Sequence, residues 1–278
     1  PPAPLGVFDS GVGGLSVWRE IVRQIPRCPT RYFADQAHIP YGPRPLAEVR
    51  AYAEGVTRFL LDQGARLIVV ACNTASGAAL HHLRATFPAV PFVGMEPAVK
   101  PAAERTQSGA VGVIATPATF QGDLFRDLVA RFAADVTLHT QTCPGLVEAV
   151  ESGDLDTPAT ERLLHTYLDP MLAAGIDHLV LGCTHYPFLS AAIQRIVGPG
   201  VALIDPAPAV ARQTRRLLRR HGLIVPLDPD DAAPEASPPT HRFYTTGDPQ
   251  RLAALAQTLV GYTGPVTPTA WHQDHVIL

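Results

Sequence analysis

Short apolar runs alternate with longer amphipathic stretches along almost the whole chain, and this alternation is what most limits the folds open to it. The apolar runs read as strands at residues 5–8, 31–34, 67–71, 92–94, 111–115, 136–139, 179–182, 202–204 and 242–245. Short runs without polar alternation are typical of parallel strands buried on both faces. With helices between them, they predict an α/β fold built from doubly wound parallel sheets.

The amphipathic stretches supply those helices. They are predicted near residues 14–25, 46–62, 75–86, 98–106, 120–132, 144–152, 158–174, 188–197, 207–221 and 249–260. Residues 226–240 are rich in Pro, Asp and Ala and predict an exposed loop.

A weak internal duplication divides this pattern in two. Gly6-Val7-Phe8-Asp9 and Gly112-Val113-Ile114-Ala115 open similar strand-to-helix units, 106 residues apart. The octapeptides at 67–74 and 178–185 also match, at an offset of 111 residues. The similar offsets predict two similar α/β domains related by pseudo-twofold symmetry, with an active site in the cleft between them. We place the first domain at 1–96 plus 207–278 and the second at 97–206.

Composition limits the partners and the compartment. The 278 residues are 46% hydrophobic and 17% charged, which is typical of a globular protein with sizeable cores. A net charge of −3 gives no reason to expect nucleic acid as a partner. We see no apolar stretch of membrane-spanning length and no leader, and therefore expect a cytoplasmic protein without a membrane partner. The four cysteines are too widely spaced for a disulfide framework.

Two of these cysteines, Cys72 and Cys183, occupy equivalent places in the duplicated units, each at the end of a strand. Ligands bind at such strand ends in open parallel sheets. The start of the following helix offers N–H groups to a carboxylate and should lower the pKa of a thiol placed there. Either cysteine alone also fits an inert buried residue, but the matched pair favours chemistry. Cys28 and Cys143 lack this setting and are predicted to be structural.

A zinc site built from Cys72, Cys183, His185 and Asp9 is the main alternative use of these side chains. Neither a Cys-x-x-Cys nor a His-x-x-x-His pair occurs, so the spacing does not support a metal. We predict no metal.

The first strand ends in Asp9-Ser10-Gly11-Val12-Gly13-Gly14, a turn whose glycines allow close approach of backbone to an anion. It matches neither a dinucleotide-binding fingerprint nor a phosphate-binding P-loop. A carboxylate site suits it better, with Asp9 accepting from an ammonium group, although Asp9 also fits an ordinary helix cap.

Taken together, several motifs closely resemble the glutamate racemase family. They are Phe8-Asp9-Ser10-Gly11-Val12-Gly13-Gly14, Pro40-Tyr41-Gly42, Ala71-Cys72-Asn73-Thr74-Ala75, Gly182-Cys183-Thr184-His185-Tyr186-Pro187 and Phe243-Tyr244-Thr245-Thr246-Gly247-Asp248. The resemblance runs from about residue 5 to residue 260. Related aspartate racemases usually carry Glu after the second Cys-Thr pair, so His185 favours glutamate.

The resemblance implies a two-base mechanism without pyridoxal phosphate, metal or nucleotide. Cys72 would serve D-glutamate, assisted by Asp9, and Cys183 would serve L-glutamate, assisted by His185. We place an acidic residue that helps His185 at Glu148. The implied substrate contacts are Asp9, Ser10, Tyr41, Gly42, Asn73, Thr74, Thr184 and His185, with Thr116 and Thr119 added from the duplicate of the glycine turn. The resemblance further implies a homodimer and a supply of D-glutamate for peptidoglycan.

Other functions stay open at this point. One is an aspartate or broad-specificity amino-acid racemase. Another is a glutamate-binding protein without catalysis, for which neither thiol would be needed. A thiol redox protein would instead join Cys72 and Cys183 in a disulfide, although it lacks the Cys-x-x-Cys spacing.

Overall fold

The computed structural model describes residues 3–224 and 239–278, so most of the predicted loop 226–240 lies outside it. The strands are β1 (Leu5–Asp9), β2 (Thr30–Ala34), β3 (Leu67–Val70), β4 (Phe92–Val93), β5 (Ala110–Ala115), β6 (Thr137–Thr142), β7 (His178–Leu181), β8 (Ala202–Ile204), β9 (His241–Thr245), β10 (Val266–Pro268), β11 (Ala270–His272) and β12 (His275–Ile277). The helices are α1 (Leu15–Gln24), α2 (Leu46–Asp62), α3 (Asn73–Thr86), α4 (Val99–Ala103), α5 (Pro117–Gln121), α6 (Asp123–Phe132), α7 (Leu146–Ser152), α8 (Pro158–Ala173), α9 (Ser190–Val197), α10 (Ala207–Arg220) and α11 (Pro249–Val260). No helix in these ranges is long and apolar enough to cross a membrane.

Two parallel sheets organise the molecule. Sheet A has the strand order β10-β9-β2-β1-β3-β4, and sheet B has the order β6-β5-β7-β8. The four strands β2-β1-β3-β4 repeat the order of sheet B, as a duplicated unit requires. A separate antiparallel pair, β11 and β12, follows sheet A in the chain. The predicted α/β class with two parallel-sheet domains is confirmed, while the domain boundaries given above stay a prediction.

The central strands are buried because helices cover both faces of each sheet. Every residue of β1, β3 and β5 is buried, whereas the edge strand β6 is partly exposed. Each of the apolar runs predicted as a strand forms one, and burial on both faces explains why the central strands lack polar alternation.

Some predicted elements differ from the structure. The helix predicted over 120–132 is divided at Gly122, whose extended backbone (φ −69°, ψ 143°) separates α5 from α6. The helix predicted over 98–106 is only the five-residue α4, and a 3₁₀ turn, Tyr186–Leu189, precedes α9. The short strands β10, β11 and β12 were not predicted.

The topology brings the carboxyl ends of the central strands together. β1 ends at Asp9, and Cys72 lies just beyond β3. Thr116 follows β5, and Cys183 lies just beyond β7. Side chains from both sheets therefore meet at one place in the cleft.

Candidate active site

A cavity lies between the two domains at these strand ends. Its walls are Ser10, Pro40, Tyr41, Gly42, Cys72, Asn73, Thr74, Thr116, Val147, Gly182, Cys183, Thr184 and His185. Most of the predicted site residues are among them. Asp9 and Thr119 lie behind the wall, each hydrogen-bonded to a lining threonine.

Cys72 lines the cavity from the first domain. It is the N-cap of α3, and its Sγ accepts from the backbone N–H of Ala75 at 3.4 Å. Burial nevertheless raises the pKa of this thiol well above its ordinary value, and the charge of Asp9 raises it further. The predicted lowering of the pKa by the helix start is therefore wrong, because desolvation outweighs the backbone donor. The shift favours the protonated form of the Cys72 thiol.

Cys183 faces the cavity from the second domain, followed by a buried charged pair. Its Sγ lies 3.7 Å from Nδ1 of His185, whose Nε2 lies 2.8 Å from Oε1 of Glu151. Burial lowers the pKa of His185, but the bonds to Cys183 and Glu151 outweigh it and raise the pKa well above its usual range. Burial raises the pKa of Glu151, but the bonds from His185 and the Val12 N–H lower it overall. An imidazolium next to a carboxylate is thus the favoured state.

The acidic neighbour of His185 is Glu151 and not Glu148, which corrects the sequence-based placement. Glu148 is exposed and lines a separate pocket beside the cavity. Helix α7 buries Leu146, Val147 and Val150. Glu151 lies four residues after Val147, on this buried face, whereas Glu148 turns away from it. Apolar spacing in the sequence could therefore have identified Glu151.

Asp9 joins the two halves of the site. Its Oδ1 accepts from the Gly11 N–H and its Oδ2 accepts from Thr184 Oγ1, both at 2.9 Å. Burial raises its pKa to about 6, against the opposing effect of the positive charge on His185. Asp9 acts on Cys72 through its charge, while its direct side-chain bond is to Thr184 in the other domain.

The glycine turn after β1 serves Glu151 and His185. A Cβ at Gly11 would collide with Oε1 of Glu151, and a Cβ at Gly13 would collide with Nδ1 of His185. Between them, the N–H of Val12 donates to Oε1 of Glu151 at 2.6 Å. The turn was expected to bind a ligand carboxylate, but the N–H of Val12 binds the carboxylate of Glu151 from the protein itself.

Several polar groups remain for a ligand on the Cys72 side. Asn73 is 4% exposed and lines the cavity, and neither Nδ2 nor Oδ1 of its amide has a hydrogen-bond partner among the described residues. Thr74, Thr116 and Thr119 form a hydroxyl cluster in which the Thr74 and Thr116 oxygens are 2.8 Å apart. Tyr41 lines the wall with its hydroxyl already donated to Asp35 at 2.7 Å.

The other two cysteines lie in the hydrophobic core. Burial raises the pKa of Cys28 to about 11 and that of Cys143 to about 12. Within residues 3–224 and 239–278, no three His, Cys, Asp or Glu side chains are grouped so as to hold a metal ion.

Comparison with known proteins identifies the family of this chain. The family model described as Asp/Glu/Hydantoin racemase matches residues 5–214. A glutamate racemase from Roseiflexus sp. (strain RS-1) is 49% identical over 256 residues, covering 92% of each chain. Among solved structures, a glutamate racemase isoform from Bacillus anthracis aligns with a TM-score of 0.84 at 32% identity, covering 98% of both chains. The glutamate racemase from Thermus thermophilus, in complex with beta-chloro-D-alanine, is 40% identical with a TM-score of 0.78, covering 97% of this chain and 98% of that one. The family model covers most of the chain, and the relatives and solved structures span nearly all of it. The chain therefore belongs to the Asp/Glu/Hydantoin racemase family and is an amino-acid racemase.

Proposed function

We propose that this racemase interconverts L-glutamate and D-glutamate with Cys72 and Cys183 as its two proton-transfer groups. One observation carries the proposal: two cysteines from different domains line the same buried cavity at equivalent strand ends. The relatives described above, which bear the name glutamate racemase, support the choice of substrate.

In the proposed reaction, the thiolate of Cys183 takes the α-proton of L-glutamate, and the thiol of Cys72 delivers its proton to the opposite face of the α-carbon. D-glutamate reacts in the reverse direction, with Cys72 as the base. Conversion of one L-glutamate leaves Cys183 protonated and Cys72 ionised, the reverse of the starting state. The two sulfurs must therefore exchange protons with solvent before a second L-glutamate can react. His185, held by Glu151, stabilises the thiolate of Cys183 by a charge-assisted hydrogen bond.

The α-proton of an amino acid is far less acidic than a thiol, so most of the barrier must be lowered by the surroundings. Backbone N–H groups at the start of α3 and the unpaired amide of Asn73 can hold a substrate carboxylate. Fixed donors in a cavity that excludes water stabilise the developing carbanion more strongly than water does. Positioned proton transfer contributes about 10²–10⁴-fold, and orientation and electrostatics supply the rest.

The proposal extends to the cellular setting implied by the family resemblance. D-glutamate would serve bacterial peptidoglycan synthesis, the enzyme would act in the cytoplasm, and it would form a homodimer. No cofactor is required by the two-thiol chemistry.

The test is racemisation in deuterium oxide. L-glutamate should yield D-glutamate that carries solvent deuterium at the α-carbon. Cys72→Ser and Cys183→Ser should each lower kcat at least about 10²-fold, since a serine hydroxyl is a much weaker acid than a thiol. Cys28→Ser, a buried cysteine outside the cavity, is the matched control and should remain active.

Full activity in both active-site variants would contradict the two-thiol mechanism. L-aspartate assayed in parallel separates a glutamate enzyme from a broad-specificity one. Tight glutamate binding without α-proton exchange would instead indicate a binding protein.

A further inference from the structure

Gln36 lies just beyond β2, outside the cavity wall, yet its amide contacts the charged pair behind Cys183. Its Nε2 donates to Oε2 of Glu151 at 3.0 Å, and its Oε1 accepts from Thr245 Oγ1 at 2.8 Å. The other oxygen of Glu151 faces His185 and the Val12 N–H. Gln36 is thus the donor to the carboxylate oxygen that His185 leaves free.

The orientation of this amide follows from its neighbours. The backbone N–H of Gly247 donates to Thr245 Oγ1 at 2.9 Å, so the hydroxyl proton of Thr245 is left for Oε1 of Gln36. The amide nitrogen must then face Glu151. Glycine is needed at position 247, because a Cβ there would lie 2.7 Å from Cβ of Gln36. Successive donors therefore all point towards the carboxylate, and each strengthens the next.

We propose that Gln36 is a positioning residue for the Cys183 half of the reaction. Gln36 fixes the Glu151 carboxylate, and this carboxylate orients the imidazole of His185. Nδ1 of His185 in turn faces the sulfur of Cys183. This inference rests on the proposed two-thiol function. The segment Thr245-Thr246-Gly247 does not line the cavity. Its role in this proposal is to hold the Gln36 amide in place.

The effect of Gln36 is expected on one side of the site only. Its side chain leads through Glu151 to Cys183, whereas the Sγ of Cys72 accepts from the Ala75 N–H at the other wall. Loss of the amide should therefore make proton transfer at Cys183 slow while transfer at Cys72 stays fast.

Gln36→Met tests this, because methionine keeps the length of the side chain and removes both polar groups. We expect kcat/KM to fall roughly tenfold, as for the loss of a hydrogen bond to a charged group. It must fall equally in both directions, since the two enantiomers are equally stable in solution. The α-deuterium isotope effect should increase for L-glutamate and decrease for D-glutamate, because only the step at Cys183 has slowed.

Gln36→Glu supplies a second readout. The introduced carboxylate repels Glu151 when it is ionised, but it donates to Glu151 again when it is protonated, so activity relative to wild type should recover as the pH falls. His185, Asp9 and Tyr32 also interact with the Glu151 charge, and Arg251 donates to its backbone carbonyl. These groups are common to both proteins, so the activity ratio reports on position 36.

Gln24→Met is the matched control. Gln24 is the last residue of α1, and its amide donates to Glu20 and to the Pro208 carbonyl, neither of which lines the cavity. Isotope effects that change alike for both enantiomers in Gln36→Met, or an activity ratio for Gln36→Glu that ignores pH, would overturn the proposal. If Gln36→Met fails to fold, Gln36→Glu decides it alone. A wild-type protein that does not racemise glutamate would instead refute the proposed function.

Discussion

Asp9 and His185 are buried in the same cluster, and the pKa of each is raised for a different reason. The carboxyl of Asp9 has few compensating partners, and its pKa rises to about 6. The imidazole of His185 gains a carboxylate and a sulfur, and its pKa rises despite burial. The bonds to His185 therefore favour its protonated form, whereas Asp9 changes charge near pH 6.

The raised pKa of Asp9 makes a prediction about stability. The folded state binds this proton more tightly than the unfolded state. The stability that the protonated Asp9 contributes is therefore full below pH 3.8 and is lost as the pH rises through about 6. The move from 3.8 to about 6 corresponds to about 3 kcal/mol in the free energy of unfolding. Asp9→Asn should remove this loss. The free energy of unfolding of the variant, measured with urea, should therefore increase relative to that of the wild type between pH 4 and pH 8. A stability difference that stays constant with pH would contradict the assignment.

At the scale of elements, the turn between β1 and α1 is the part of the site least tolerant of change. Its glycines let the backbone approach Glu151 and His185, which belong to the other domain. The turn therefore sets where the charged pair sits, as well as shaping one wall of the cavity.

Gly13→Ala should show this directly. The added methyl group would meet Nδ1 of His185 and Oγ1 of Thr184, both of which must move. A displacement of about 1 Å at such a place lowers kcat by roughly 10²-fold. Gly77→Ala, in α3 with open space around its added Cβ, is the control and should keep full activity. Equal kcat in the two variants, measured in the racemisation assay, would refute this role of the turn.

The elements were largely readable from the sequence because buried parallel strands leave uninterrupted apolar runs. The two cysteines were readable because the duplication marked them as a pair. Strands β10 to β12 have three residues each, too few for a periodic signal. Gln36 could not be found because its partners, Glu151 and Thr245, are 115 and 209 residues away in the chain. The pairing of β2 with β9 brings Gln36 to Thr245, and the meeting of the two domains brings it to Glu151 on α7.

For the whole molecule, the bonds between domains are concentrated at the cavity. Ser16 Oγ donates to the Thr184 carbonyl at 3.0 Å, and Thr184 in turn donates to Asp9. Across the cavity, Thr74 bonds to Thr116. A ligand held here contacts both domains and adds to these cross-links.

Glutamate should therefore stabilise the whole protein. In the Cys72→Ser, Cys183→Ser double variant, where the enantiomers do not interconvert, each enantiomer should raise Tm. The gain at 100 times Kd should be about 2.7 kcal/mol. Replacing Asn73 by Ala in that variant should weaken the effect, because the unpaired amide is a proposed carboxylate contact. A Tm shift that L-alanine matches at the same concentration would contradict recognition of glutamate.

The pairing of β9 with β2 also has a consequence for synthesis on the ribosome. Thr30 aligns with His241 in this pairing, whereas all of sheet B comes from one continuous stretch between Ala110 and Ile204. The second domain can assemble as soon as its own residues emerge, while the first must wait for a strand made more than 200 residues later. Such distant pairing is slow, so the N-terminal strands are exposed longest. We infer that the late-arriving C-terminal strands, which complete sheet A, limit how quickly the nascent enzyme becomes active.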